Sequence, residues 1–276
     1  MLIPPIRQIS LLTDFGLQDI YVGVMKGVID RIAPQVKVLD LCHHIPPGEI
    51  TVASLMLNAA VPYFSPETLY LCVVDPGVGS KRRILYVQSA LGHFLAPDNG
   101  LLSSVLQLSN DYRCWEVTNR EFMLPQSSNT FHGRDIFAPV AAHLSLGIPA
   151  NTLGSPLTDP LLIETPQAKA QSSLVEGEIV YIDGFGNICS NIPAGFSSSI
   201  KSMQFPEKLL EFEGPVASSY ASREPGEALI IVNSFSYMEL AINRGNAAET
   251  YQLTRGQKVS ATLDTIEDHH QSERVQ

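Results

Sequence analysis

Two segments combine carboxylates, glycines and cations at a spacing that suits a polar ligand. Residues 13–19, Thr13-Asp14-Phe15-Gly16-Leu17-Gln18-Asp19, follow the apolar run 9–12. Residues 75–83, Asp75-Pro76-Gly77-Val78-Gly79-Ser80-Lys81-Arg82-Arg83, follow the run 68–74. If both runs are strands of a parallel sheet, these loops lie where such sheets bind ligands. A carboxylate there, Asp14 or Asp19, offers two acceptor oxygens to the two hydroxyls of a ribose. The same residues also serve to cap a helix or seed a turn. In the second loop the glycines allow close backbone approach, and Asp75 is within reach of an ion pair with Arg82 or Arg83. A plain turn accounts for Asp75-Pro76-Gly77 equally well.

Two further segments carry polar groups. Residues 129–135, Asn129-Thr130-Phe131-His132-Gly133-Arg134-Asp135, stand at the start of an amphipathic helix. There His132 reads either as a site residue or as an ordinary helix-start residue, with Arg134-Asp135 as a surface pair. Asp183-Gly184-Phe185-Gly186-Asn187 is a turn by composition. As a binding element it offers an aromatic face and an amide, the two contacts an adenine needs. Several chemistries lack their signatures. Neither GxxxxGK[ST] nor GxGxxG occurs, which removes the usual support for triphosphate and dinucleotide binding. No GxSxG elbow is present. His43 and His44 invite a metal, but no HExxH-type spacing accompanies them.

These loops need a scaffold, and the first half of the chain supplies an alternating pattern. Runs at 9–12, 36–41 and 68–74 read as strands, and 21–32 and 51–61 as helices. Strands at 84–88 and 93–96, a helix at 100–108 and helical spacing over 131–146 follow. This is βαβ patterning and predicts an α/β N-terminal domain with a mostly parallel sheet. Residues 147–173 turn to Pro, Thr, Ser, Gln and Ala, which is linker composition. A boundary near residue 165 divides 1–165 from 166–276. Strands at 176–183, 209–213, 228–233 and 237–243, separated by Gly, Pro and Asn, predict a smaller all-β, barrel-like C-terminal domain. The last ten residues, with His269 and His270, are polar and read as frayed.

Composition narrows the partners. With 276 residues, 45% hydrophobic and 17% charged, the chain is globular and long enough for a substantial core. A net charge of −10 disfavours nucleic acid and anionic membrane surfaces and leaves small molecules or proteins. No run approaches the ~20 apolar residues of a membrane span. Cys42, Cys72, Cys114 and Cys189 are unpaired by spacing and read as buried thiols in a reducing compartment. The expected location is the cytoplasm.

Six segments in order, LLTDFGLQDIYVGVMKG, VVDPGVGSKRR, APDNGLL, TFHGRDIFAP, YIDGFGN and NSFSYMELAINRGNAAE, span residues 11–249. Together they resemble the S-adenosylmethionine (SAM) hydroxide adenosyltransferases, a family related to fluorinating and chlorinating enzymes that act on the same substrate. The resemblance implies hydrolysis of SAM to adenosine and methionine without cofactor or metal. It implies a homotrimer with active sites shared between subunits. Asp75, Arg82 and His132 fall on the set that holds the attacking water, and Asp14 on ribose recognition. Asp19 falls on the methionine amino group, Phe185 and Asn187 on adenine, Asp183 on the methionine end and Ser234 on the carboxylate. His44 stands where the family has a smaller or acidic residue, and Phe235 where halogenating relatives carry an arginine, which leaves carboxylate recognition partly unassigned.

The chemistry so implied is displacement of methionine from the ribose C5′ carbon by water or hydroxide. A negative nucleophile meeting a sulfonium disperses charge, so a dry site favours the step. Asp75 orients the water or takes its proton, Arg82 keeps Asp75 ionised, and His132 is the base better matched to neutral pH. The sequence leaves the choice between the two bases open. Two rivals are a halide-dependent adenosyltransferase and a non-catalytic nucleoside-binding protein. The Asp75 charge argues against the first and the intact three-residue set against the second.

Overall fold

Gln8–Thr13 (β1) is rich in β-branched and leucine residues and is buried along almost its whole length, as expected of an inner strand. The computed structural model describes residues 4–109, 111–126 and 128–264. His269 and His270 lie outside the described residues. Two compact units divide the chain, Met1–Thr165 and Pro166–Gln276.

In the first unit β1 leads through Tyr21–Ile32 (α1) to Lys37–Cys42 (β2), and through Ile50–Ala60 (α2) to Thr68–Val73 (β3). Ile84–Ser89 (β4), Gly92–Pro97 (β5), Ser103–Leu108 (α3), Tyr112–Glu116 (β6), Ala138–Ser145 (α4) and Pro156–Leu157 (β7) follow. The sheet order is β2-β1-β3-β5-β4-β6-β7. Helix α1 buries Val22, Met25 and Ile29, one stripe of a 3.6-residue period, in a cluster with Ile9, Leu11, Leu69, Leu71 and Ala141. Helices α2 and α3 form a second pair, joined by a hydrogen bond from Ser54 to Ser104 at 2.9 Å.

The expected mostly parallel sheet is corrected to a mixed one. The pairs β1–β2, β1–β3 and β3–β5 are parallel, while β4–β5, β4–β6 and β6–β7 are antiparallel. Only Ala90 and Leu91 separate β4 from β5. A parallel connection needs a crossover of a dozen or more residues, so so short a link forces a hairpin. Residues 147–165 also differ from a free linker. Arg83 donates to the Asp159 carboxylate and carbonyl at 3.0 and 2.7 Å, Asp98 accepts from Leu161 N at 2.7 Å, and Ser103 Oγ accepts from Ile163 N at 2.8 Å.

The second unit contains Lys169–Gln171 (β8), Leu174–Ile182 (β9), Ile188–Pro193 (β10), Ile200–Phe205 (β11), Leu210–Glu213 (β12), Ala228–Val232 (β13), Tyr237–Ile242 (β14), Ala247–Tyr251 (α5) and Lys258–Leu263 (β15). The order is β12-β11-β15-β9-β10-β14-β13 with β8 on β9, and every pair is antiparallel. The end strands β12 and β13 approach each other, so the sheet nearly closes into a barrel around Val175, Ile192, Met203, Phe205, Met238 and Leu240. Closure of this kind leaves few exposed strand edges.

Candidate functional site

The chain passes from β1 to β2 on one side and then crosses over to β3 on the other. The carboxyl ends of β1 and β3 are therefore a topological switch point, the place where open α/β sheets receive ligands. Thr13 is opposite Val73 in the register, so Asp14 and Asp75 leave the sheet side by side. Both line a cavity of about 470 Å³ with Phe15, Tyr21, Gly48, Val78, Phe131 and His132. A larger hollow of about 740 Å³ in the second unit, lined by Lys201, Glu211 and Asp264 among others, contains none of the sequence-predicted site residues.

Asp75 and Arg82 form a buried ion pair, their side chains 4% and 9% exposed. Arg82 Nε reaches the two Asp75 oxygens at 2.7 and 2.8 Å, and its Nη2 donates to Oδ2. The ambiguity between Arg82 and Arg83 is thereby settled, since Arg83 turns to Asp98 and Asp159. Arg82 Nη2 also lies 2.9 Å from His132 Nδ1. A guanidinium has no acceptor, so Nδ1 must accept and the ring proton of neutral His132 resides on Nε2. Burial, and after it the Arg82 charge, lowers the His132 pKa below its ordinary value, in keeping with a neutral ring.

The segment bearing His132 opens into a wider π-type helical turn over Gly133–Phe137 before α4 begins. Asp135 is not the surface residue that the sequence suggested but is fully buried. Its carboxylate accepts from Ser128 N at 2.7 Å and from Arg134 at 2.6 and 3.0 Å. Burial works against its charge, but those bonds outweigh it and hold the carboxyl below its ordinary value.

Asp14 Oδ2 accepts a hydrogen bond from Gly48 N at 2.9 Å, which leaves Oδ1 for a ligand. Asp19 is exposed on the approach to α1 and does not line the cavity. In the second unit Asp183 builds its own turn. Its Oδ1 accepts from Phe185 N and Asn187 N, each at 2.9 Å, and its Oδ2 from Asn187 Nδ2 at 2.9 Å. Phe185 is left 80% exposed while Asn187 is buried. Ser234 is exposed on the β13–β14 turn, where Asn233 Oδ1 accepts from Phe235 N and Tyr237 N at 3.0 and 3.1 Å. Asn233 also contacts Cys189 Sγ at 2.9 Å, tying this turn to the strand after Asn187.

The sequence did not reveal the aromatic wall. Phe15, Tyr21 and Phe131 pack edge-on or tilted with centroids 5.0–6.0 Å apart, and all three line the cavity. Phe15 and Phe131 flank the acidic and histidine motifs directly, a signal that was available. His43 is not beside a metal cluster. Among the described residues no group of three or more His, Cys, Asp or Glu is placed to hold an ion. No described helix is long and apolar enough to cross a membrane.

Comparison with known proteins agrees along the chain. Residues 9–154 match the SAM hydroxide adenosyltransferase N-terminal domain and residues 177–260 the C-terminal domain of the same family. An (R)-S-adenosyl-L-methionine hydrolase of Salinispora tropica is 35% identical, with 94% of this chain and 98% of that one covered. A fluorinase of Actinoplanes sp. is more distant at 27% identity, covering 92% and 97%. The solved structure of an uncharacterized conserved protein from Thermotoga maritima superposes with a TM-score of 0.86 at 34% identity, covering 92% and 99%. With both family domains matched in order and the relatives aligned nearly end to end, this chain belongs to the SAM hydroxide adenosyltransferase family.

Proposed function

We propose that this protein hydrolyses SAM to adenosine and L-methionine by in-line attack of water at the ribose C5′ carbon. The observation that carries the reading is the bonded Asp75–Arg82–His132 set, of which Asp75 and His132 line the same cavity as Asp14. Relatives at about one-third identity bear the name (R)-S-adenosyl-L-methionine hydrolase. That name specifies a sulfur configuration, which the sequence reading did not raise.

In this reading Asp14 receives the ribose hydroxyls and Asp75 faces the water. His132 Nε2–H donates to the water oxygen and turns a lone pair toward C5′, and Asp75 is the acceptor for the departing proton. The assignment follows from the ring tautomer, because a nitrogen that carries a proton cannot take another from water. A carboxylate is by its type a weak base, so positioning and exclusion of bulk water carry most of the acceleration, general-base help being worth ~10²- to 10⁴-fold. Methionine leaves as a neutral thioether, so the step needs no metal or cofactor. Phe185 and Asn187 contribute to adenine binding, and Asp19, Asp183 and Ser234 to the methionine end. Homotrimerisation with shared sites and a cytoplasmic location belong to the same reading and rest on the family resemblance.

A halide-using reaction is disfavoured by the Asp75 carboxylate, which repels an anion from the nucleophile's place. The test is Asp75→Asn, assayed with each sulfonium epimer of SAM, with and without a chelator. The parent is expected to release adenosine in both conditions, and the variant to lose kcat by about 10²-fold or more with KM little changed. The change leaves Arg82 without its buried partner, so the melting temperature is followed in parallel and Asp75→Glu serves as the charge-keeping control. A folded Asp75→Asn protein with parental kcat would remove the reading's support.

A further inference from the structure

We infer that His43 is a positioning residue that, through Thr13, fixes the shape in which the Asp14 loop presents its carboxylate to the cavity. The inference deepens the hydrolase reading and depends on it only for the identity of the ligand.

Asp14 is bracketed by bonds that all trace to the segment after β2. His43, buried, lies with Nδ1 2.8 Å from Thr13 Oγ1. Thr13 Oγ1 in turn accepts from Phe15 N at 3.3 Å. The His43 carbonyl accepts from Gly16 N at 2.7 Å. Gly48, five residues further on, donates to Asp14 itself at 2.9 Å. The residue before Asp14 and the two after it are thus held by His43 directly or through one hydroxyl.

The far side of the ring is anchored as well. His43 Nε2 lies 2.9 Å from Asp40 Oδ1, and Lys26 Nζ donates to Asp40 Oδ2 at 2.7 Å. Burial works against the Asp40 charge, but the bonds from Lys26 and His43 outweigh it and hold the carboxyl below its ordinary value. An ionised Asp40 accepts only, so Nε2 donates to it, and in a ring with one proton Nδ1 then accepts a hydrogen bond from the Thr13 hydroxyl. The order Thr13–His43–Asp40 has the outline of a nucleophilic relay, but Thr13 is fully buried and its oxygen is already engaged on both sides. The chain of bonds therefore ends at the Asp14 loop, where it fixes geometry.

Thr13→Val is nearly isosteric and deletes only the linking hydroxyl. KM for SAM should rise about tenfold, the worth of one buried hydrogen bond, while kcat stays within about twofold. Thr13→Ser should restore the parental KM. His43→Gln, whose amide nitrogen stands in for Nε2 toward Asp40 and leaves the place of Nδ1 beside Thr13 empty, should repeat the Val effect if Thr13→Val fails to fold. Combined with Asp14→Asn, Thr13→Val should add little to the KM of Asp14→Asn alone, because both act through one group. A parental KM in Thr13→Val and His43→Gln, or effects that multiply in the double variant, would overturn the inference. If the parent makes no adenosine from SAM, that failure falls on the functional reading. Amide exchange at Phe15 and Gly16 then decides the strut: faster exchange in Thr13→Val supports it, and unchanged exchange refutes it.

Discussion

Arg82 only donates, and its two partners must arrange their protons accordingly. It takes Asp75 as a carboxylate and His132 as a neutral ring. Burial first, then the Arg82 charge, opposes protonation of His132. A protonated ring would set donor against donor and break the set. The unfolded chain binds this proton near pH ~6.5 and the folded chain only below that. Stability and activity from this group are therefore full above about pH 6.5 and are lost as the pH falls further. An acid limb in kcat/KM with its midpoint below about 6.5 is expected. His132→Asn keeps an acceptor for Arg82 and should abolish the limb, whereas persistence of the limb would assign it elsewhere. At this scale the sequence was legible as to residue types and incomplete as to partners. Nothing in Arg82-Arg83 says which arginine turns to Asp75, because that depends on where β4 begins. Of the Arg134-Asp135 pair only Arg134 stays partly exposed, while Asp135 turns inward to accept from Ser128 N, a contact that nothing in the adjacent residues announces.

The elements place these side chains through a few tight contacts. Gly79 has φ +79°, and a Cβ there would overlap the Asn129 carbonyl, so the Asp75 loop lies directly on the segment that leads to His132. Gly16 has φ +69° but open space around it. Alanine at either position pays about 1–2 kcal/mol of backbone strain, and at Gly79 it must also displace Asn129. Gly79→Ala should therefore lower both the urea midpoint and kcat, and more so than Gly16→Ala. Equal effects would mean that the 75–83 loop is not held against residue 129. Helix α1 was readable because Val22, Met25 and Ile29 repeat at helical spacing over an uninterrupted stretch. The hairpin of β4 and β5 was misjudged by fold-class expectation although its link is too short for a crossover. Strand β10 escaped notice because Ser190 and Asn191 break its apolar pattern. Both are buried and satisfied within the barrel, Ser190 by Met238 O at 2.8 Å and Asn191 by Glu178 N at 2.8 Å.

At the scale of the whole molecule, the proposed ligands divide between two units, with ribose and water groups in Met1–Thr165 and adenine groups in Pro166–Gln276. The proposed sharing of sites between subunits is testable by mixing. Asp14→Ala and Asn187→Ala should each be inactive alone and should regain part of the parental activity when dissociated and reassembled together. No recovery, with mixed oligomers verified by mass, would contradict shared sites. The central claim concerns the nucleophile, and turnover of SAM in oxygen-18 water tests it directly. The account predicts adenosine with one labelled oxygen at the 5′-hydroxyl and methionine with none. Absence of adenosine, adenosine without label, or label in methionine would contradict it.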